Sequence, residues 1–366
     1  MEPFKSHVER LLGILSNKNL KAALIFSPAN IYYFAGTDAP SLAIVLDRGD
    51  VLLLSSRLEY LRAVEEHVIG DVYAFSRQTD VAEYEKVIRG DLYDVIGKLL
   101  EGLPPEKIGI GGAGLETKKK LAEKLGAEPV DITRDVVALR RQKDKVELAI
   151  IREAAWLAEQ AMRRAIDALD RGVTELDVVT AVLVTLLRGG ARPSFDPIVA
   201  FGEHAAQPHA KPTQRALKEG DVVKIDLGAR VKGYCSDITR TLIFGKPSQK
   251  QERILKAVVR AQERAMESIQ AGKAARDVYF IAYKALQEEG LHLYFNHGLG
   301  HGVGIEVHEE PYLNSESEAL LLPGDVVTVE PGVYMAGYLG VRVEDMILVE
   351  EGGAELLTYF PRDYLI

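Results

Sequence analysis

A nine-residue phrase occurs twice in this chain, as Gly220-Asp-Val-Val-Lys-Ile-Asp-Leu-Gly228 and again as Gly324-Asp-Val-Val-Thr-Val-Glu-Pro-Gly332. In each copy a Gly-Asp turn feeds a β-branched strand, and the seventh position is a carboxylate, Asp226 or Glu330. A second carboxylate follows each copy, Asp237 and Glu344. Helical patterns over 146–170 and 175–188 precede the first copy, and patterns over 251–271 and 274–289 precede the second. The region therefore reads as an internal duplication, helices then strands. With only two copies it closes as a pseudo-twofold unit and not as a solenoid. Two related halves that each supply two acids suggest a fold built around a cation.

Ahead of this region the chain alternates differently. A helix is expected near 4–16, strands at Ala22–Ser27, Ala43–Leu46 and Val51–Ser55, and charged helices near 57–67 and 82–102. Such alternation predicts an α/β layer domain over 1–133. The charge-rich stretch Asp131–Lys145 reads as a connection, and 134–366 forms the second domain. The whole is an α/β (α+β) protein. Gly109-Ile-Gly-Gly-Ala-Gly114 matches a dinucleotide-binding pattern, but Pro104-Pro-Glu-Lys-Ile before it is a poor central strand. The segment is expected to be a flexible turn into a helix over 115–125. Lys118-Lys-Lys120 in that helix reads as a solvated face.

Composition removes several classes. All 366 residues carry a formal net charge of −9, so no general basic surface for phosphates is available and a nucleic-acid partner is not expected. Cys235 is the single cysteine, which rules out an intrachain disulfide and makes a reducing cytoplasm the expected compartment. Met1–Leu15 has apolar residues at helical spacing interrupted by charges, unlike a signal peptide. The longest aliphatic runs, such as Val51–Leu54, fall far short of the roughly 20 residues of a membrane span, so no membrane partner is expected.

Strand parity decides which side chains meet. Val222, Lys224 and Asp226 share one face, as do Asp237, Thr239 and Thr241. In the second copy Val326, Thr328 and Glu330 align, and along Gly340–Ile347 Arg342 aligns with Glu344. If the two hairpins face each other, Asp226, Asp237, Glu330 and Glu344 converge. A single such acid would ordinarily be a surface carboxylate, but four in one cleft repel and lose hydration unless cations neutralise them.

The histidines add to this. Five of the eight lie in Glu203-His-Ala-Ala-Gln-Pro-His209 and His297-Gly-Leu-Gly-His301-Gly-Val-Gly-Ile-Glu-Val-His308. One histidine alone is usually structural, whereas glycines spaced among several keep the walls of a site uncrowded. These segments link the repeats and have no duplicated counterpart phrase. One imidazole with four carboxylates suits two divalent ions of the Mn, Co, Fe or Zn type. Such a pair lowers the pKa of water and stabilises a tetrahedral intermediate, so hydrolysis is the expected reaction class.

Five motifs, Lys-Ile-Asp226-Leu-Gly, Ser-Asp237-Ile-Thr-Arg-Thr, His297-Gly-Leu-Gly-His301-Gly, Val-Glu330-Pro-Gly and Val-Arg-Val-Glu344-Asp, resemble those of the pita-bread metallopeptidases: prolidase, aminopeptidase P and methionine aminopeptidase. The resemblance covers essentially the whole chain. The front segment Phe26-Ser-Pro-Ala-Asn-Ile-Tyr-Tyr-Phe-Ala-Gly36 is similar to the creatinase/prolidase-like N-terminal domain of the prolidase and aminopeptidase P branch, which would gate substrate and take part in dimerisation. The resemblance implies that Asp226 holds the first metal and His301 and Glu330 the second, with Asp237 and Glu344 bridging both. It further implies that His209 and His308 hold the scissile carbonyl and that His297 lines the pocket. Thr239 and Arg342 would orient the ligands, and Glu330 would also relay a proton. His204 has no counterpart and is expected at the pocket rim. The implied substrates are proline-containing dipeptides or short peptides, and the implied assembly is a homodimer. Dipeptide-specific prolidases often carry an arginine shortly after the His-Glu position. Here the stretch is His308-Glu-Glu-Pro-Tyr312-Leu, which extends the expectation to longer Xaa-Pro peptides. Two other functions share the fold: a metal-free creatinase-like amidinohydrolase, and a peptide-binding module that has lost its ligands. The intact ligand set speaks against both.

Overall fold

The computed structural model describes residues 3–78, 80–101 and 106–362. The chain divides into two units, Met1–Arg140 and Arg141–Ile366.

The first unit is built on one seven-stranded sheet. Its strands are β1 (Ala22–Ile25), β2 (Leu42–Leu46), β3 (Val51–Ser56), β4 (Asp71–Ser76), β5 (Val87–Arg89), β6 (Lys107–Gly111) and β7 (Glu128–Asp131), in the order β5-β4-β3-β2-β1-β6-β7. The β1–β2 and β2–β3 pairs are antiparallel and the others parallel. Helix Phe4–Asn17 buries Phe4, His7, Val8, Leu11 and Leu15, the stripe that its apolar spacing predicts.

Three local expectations change. The stretch read as one helix over 82–102 contains β5 and then a shorter helix, Leu92–Leu99, begun by a capping box between Asp91 and Asp94; Gly102 lies outside the described residues. The charged connection is itself helical, over Thr133–Arg141, and buries Val136 and Arg140. The glycine-rich motif begins inside the sheet, since β6 pairs in parallel with both β1 and β7. Pro104-Pro105, whose character argued against a strand, lie outside the described residues. A Cβ on Gly109 would press on Ile132 and Leu20 at 3.1–3.2 Å, and one on Gly111 on Ile25 and Val136 at 3.3 Å. Both glycines make room for packing, and the helix Leu115–Leu125 follows.

In the second unit the duplication is visible in detail. Helices Lys145–Asp167 and Gln249–Glu267 each open with a capping box, Asp144 with Glu147 and Ser248 with Gln251. Helices Glu175–Arg188 and Ala275–Glu288 follow, and the bridges Thr174–Ala216 and Ala274–Leu320 recur just ahead of them. The Gly-Asp turns recur as well. Gly220 and Gly324 have φ of 80° and 90°, a region that favours glycine. The carboxylates of Asp221 and Asp325 accept from Lys218 N at 3.0 Å and Leu322 N at 2.8 Å, closing each turn.

The sheets split where the acids lie. Strand Val222–Leu227 pairs with Ile198–Phe201 and Ile238–Ile243 in a three-stranded sheet. Val326–Val329 and Asp345–Glu350 belong to a five-stranded sheet, and Gly332–Met335 with Leu339–Arg342 to a two-stranded ribbon. The continuous strand expected over Gly340–Ile347 is therefore broken at Val343-Glu344. Glu330 and Glu344 stand at the two points where the chain passes between these sheets. Asp237 stands at a comparable break, between Tyr234–Cys235 and Ile238–Ile243. Behind the strands, two apolar cores cover the two helix pairs.

Candidate metal centre

One cleft of about 1230 Å³ in the second unit is lined by Asp226, Asp237, His301, Glu330 and Glu344, together with His209, His297, His308 and Arg342. The sequence-predicted residues are thus brought together, except Thr239, which lies behind Glu344, and His204, which does not line the cleft. Strand parity placed Asp226 correctly because the residues between, Val223, Ile225 and Leu227, fill the core on the opposite face.

Beside the acids a β-bridge joins the two halves. Thr239 pairs with Glu344, and Thr239 Oγ1 donates to Glu344 Oε2 at 2.7 Å. Arg342 Nε donates to Thr239 Oγ1 at 3.2 Å, and its Nη2 pairs with Asp226 Oδ2. Burial works against the Arg342 charge, but Tyr334, Asp226, Glu330 and Glu344 around it raise its pKa well above the usual value.

A metal fits this donor set by three observations. Asp226 Oδ1, Asp237 Oδ1 and Glu344 Oε1 are buried without a hydrogen-bond partner among the described residues, which is costly for carboxylates unless a cation is their partner. Donor atoms of Asp237, His301 and Glu344 lie within 4.8 Å of one another. His301 Nδ1 lies 3.1 Å from Gly302 O, a contact in which the ring nitrogen must donate. Its Nε2 stands 3.4 Å from Glu330 Oε1 and 3.8 Å from Asp237 Oδ2, and with Nδ1 donating, loss of the Nε2 proton would present its lone pair to a metal.

The electrostatics agree. Burial and then repulsion from Glu344, Asp226 and Glu330 raise the Asp237 carboxyl well above its ordinary range. Burial, Glu330 and Asp226 do the same to Glu344. For Glu330 the opposite holds. Burial pushes it up, but the His301 hydrogen bond and the charges of His301, His297 and Arg342 bring it down to about 2.

Several residues of the site were not singled out from sequence. Tyr334 takes a hydrogen bond from Arg342 Nη1 at 2.8 Å and lies 3.1 Å from His297 Nε2. His297 Nδ1 donates to Gly298 O at 2.7 Å, so its Nε2 accepts from the Tyr334 hydroxyl. The order Arg342 to Tyr334 to His297 favours the neutral imidazole, in line with the lowering of its pKa by burial. His308 is also lowered, by burial and then by His301, whose ring centroid lies 4.2 Å away. His204 Nδ1 donates instead to the buried Glu175, at 2.8 Å. Lys224, on the Asp226 face, reaches three backbone carbonyls. Burial and Arg342 push its amine down to about 6, while the three acceptors at 2.6–3.2 Å match the three donors of the charged form and oppose that push. A neighbour that holds a backbone carbonyl leaves no residue-type pattern, so spacing alone could not reveal these roles.

Known proteins share this fold. Residues 149–351 match the model of metallopeptidase family M24, and residues 7–142 match the creatinase/prolidase N-terminal domain. An Xaa-Pro dipeptidase of Pyrococcus furiosus is 35% identical over 99% of this chain and 100% of its own length. The structure of an Xaa-Pro dipeptidase from Bacillus anthracis superposes with a TM-score of 0.87 at 30% identity, covering 99% of both chains. That of an X-Pro aminopeptidase from Thermotoga maritima gives 0.88 at 29% identity, covering 98% of this chain and 99% of that one. A creatinase-like N-terminal domain followed by a pita-bread domain with this donor set makes the chain a peptidase, and it belongs to metallopeptidase family M24.

Proposed function

We propose that this peptidase hydrolyses the bond between Xaa and proline in dipeptides and short peptides, using two divalent ions. The observation that carries the reading is the convergence of Asp226, Asp237, His301, Glu330 and Glu344, with one oxygen each of Asp226, Asp237 and Glu344 left unpaired among the described residues. Asp226 would hold one ion, His301 and Glu330 the other, and Asp237 and Glu344 both. When bound, Mn, Co, Fe or Zn would supply Lewis acidity, lowering the pKa of water and stabilising negative charge.

The chain's own groups do the rest. The Glu330 carboxylate, held ionised, takes a proton from the attacking water and passes it to the proline nitrogen, which leaves as a secondary amine. His308, neutral in its half-buried place, and His209 donate hydrogen bonds to the scissile carbonyl oxygen as it gains charge. Arg342 holds Asp226 and, with Thr239, orients Glu344; Tyr334 holds His297 in one tautomer against the cleft wall. Leu176, Val179, Leu183 and Phe195 give the cleft an apolar side suited to a substrate side chain.

Tyr312 in the cleft wall favours a second substrate class. The stretch His308-Glu-Glu-Pro-Tyr312-Leu supplies no arginine for a dipeptide's terminal carboxylate, so we read peptides longer than two residues as substrates too. No helix among the described residues is long and apolar enough to cross a membrane. A cytoplasmic homodimer is proposed from the same kinship. The test is the metal-reconstituted chain assayed on Xaa-Pro dipeptides against Xaa-Pro-Yaa tripeptides. Cleavage before proline that disappears with chelator is expected. Failure to cleave either set with metal, or full activity without it, overturns the reading.

A further inference from the structure

His209 is exposed and meets no hydrogen-bond partner among the described residues. With no hydrogen bond to hold its ring, its position depends on the backbone that carries it. That backbone is an arm running from Phe201 to Thr213; the buried charged side chains Glu175 and Lys224 hold it, and Arg342 Nη1 adds a longer contact of 3.4 Å to Pro208 O.

Glu175, the first residue of helix Glu175–Arg188, is fully buried. Its Oε1 accepts from Phe201 N at 2.9 Å and from His204 Nδ1 at 2.8 Å, where the arm begins. Its Oε2 accepts from Thr213 N at 2.8 Å and Thr213 Oγ1 at 2.7 Å, where the arm ends. One carboxylate therefore ties both ends. Lys224 holds the middle: its Nζ donates to Ala205 O at 3.0 Å, Gln207 O at 2.6 Å and Pro208 O at 3.2 Å. Pro208 immediately precedes His209 and has a fixed φ, so an anchor on its carbonyl sets the direction in which His209 leaves. Gly340 closes the remaining side, since a Cβ there would overlap Ala205 O. Lys224 lies on the strand that carries Asp226, which sets the arm's height against the acids.

We infer that Lys224 and Glu175 are positioning residues for His209, clamping the backbone arm that presents its imidazole to the cleft. The inference rests on the role proposed above for His209. A side chain that donates to a carbonyl only as charge develops loses its effect when displaced by about 1 Å, a misplacement that can cost roughly a hundredfold in rate.

The experiment compares Lys224→Met, Glu175→Gln, His209→Ala and the two double variants, each metal-reconstituted, on an Xaa-Pro peptide. Lys224→Met is expected to lower kcat by roughly ten- to a hundredfold, with KM within about twofold and metal content unchanged. In the His209→Ala background the same substitution should cost less than about threefold, because its route of action is already gone. A merely structural role would give the full loss in both backgrounds, and that result overturns the inference, as does loss of metal from the single variant. Amide hydrogen exchange supplies a readout independent of turnover. Exchange should quicken across 202–210 and stay unchanged across Val222–Leu227; unchanged exchange across the arm also overturns the clamp. Should Lys224→Met fail to fold, Glu175→Gln carries the same comparison. A wild-type chain that cleaves no Xaa-Pro peptide would instead refute the proposed activity, and the exchange measurement would still decide the clamp.

Discussion

Replacing Arg240 by methionine should cost about 3–5 kcal/mol of folding free energy in the second unit. Arg240 is almost wholly buried, and each of its five N–H donors has a partner. Nε reaches Pro361 O at 2.9 Å; Nη1 reaches Thr239 O at 2.9 Å and Glu344 O at 2.6 Å; Nη2 reaches Asp345 Oδ1 at 2.7 Å and Phe360 O at 2.6 Å. Methionine fills similar space and supplies no donor. Asp345 keeps Thr358, Gln262 and Arg362, so it is not left unpaired. Thr239 O keeps the amide of Glu344. The loss therefore falls on the carbonyls of Glu344, Phe360 and Pro361, at about 1 kcal/mol each, and on one of the two cations that face Asp345. For a unit of this size about 3–5 kcal/mol corresponds to roughly 6–20 °C in Tm. Arg240→Lys, with three donors and the charge retained, should fall between. The assay is urea unfolding of the chelated chain followed by circular dichroism, with metal content measured on separate metal-reconstituted samples. Because Arg240 ties Thr239 to Glu344, metal should also be lost. A Met variant within about 1 kcal/mol of wild type would show that the network adds nothing over an apolar side chain of similar size.

Glu344→Ala should lower both metal content and turnover by at least about a hundredfold in rate, since it removes an acid placed to serve both ions; an unchanged rate would refute the bridging role. Stability should depend on pH differently with and without metal. Asp237 and Glu344 are raised above their ordinary 3.8 and 4.5, so the metal-free folded chain binds more protons than the unfolded chain above those values. That contribution is complete at low pH and is lost as pH rises toward the raised values. The Tm gained on adding metal should accordingly be larger at about pH 7.5 than at about pH 5, and an equal or smaller gain would refute it. Gly300→Ala should reduce metal affinity without contact with any ion, because a Cβ there would overlap Thr328 O and displace His301; calorimetric titration with Mn measures it, and wild-type affinity would contradict it.

The cleft acids were legible in part because parity along a strand is a local rule, and Asp226, inside Val222–Leu227, obeys it. The helix pairs were legible for the same reason. What sequence hid was the break at Val343-Glu344, where the strand leaves one sheet for another while the apolar alternation runs on. The strand Lys107–Gly111 was hidden too, because Gly109 and Gly111 read as punctuation although they make room for Ile132 and Val136. The clamp around His209 was invisible because five of its acceptors and donors are backbone groups.

The duplication reaches further than the acids. Position five of the repeated phrase is Lys224 in the first copy and Thr328 in the second. Lys224 donates to the carbonyls ahead of His209; Thr328 Oγ1 accepts from the amide of His301 at 3.1 Å. Equivalent positions thus hold the backbone at a histidine in both halves, by opposite polarity. The difference follows from distance. His301 lies on a strand beside Val326–Val329, where a short hydroxyl reaches, whereas the His209 arm has no ladder to join and needs a long side chain. The second anchor shows the same divergence: Glu175 corresponds to Ala275, both fully buried at the start of equivalent helices. A sheet holds His301 and charge holds His209, so weakening buried charge should disturb His209 well before His301. Metal binding, which uses His301, should therefore outlast turnover in Glu175→Gln.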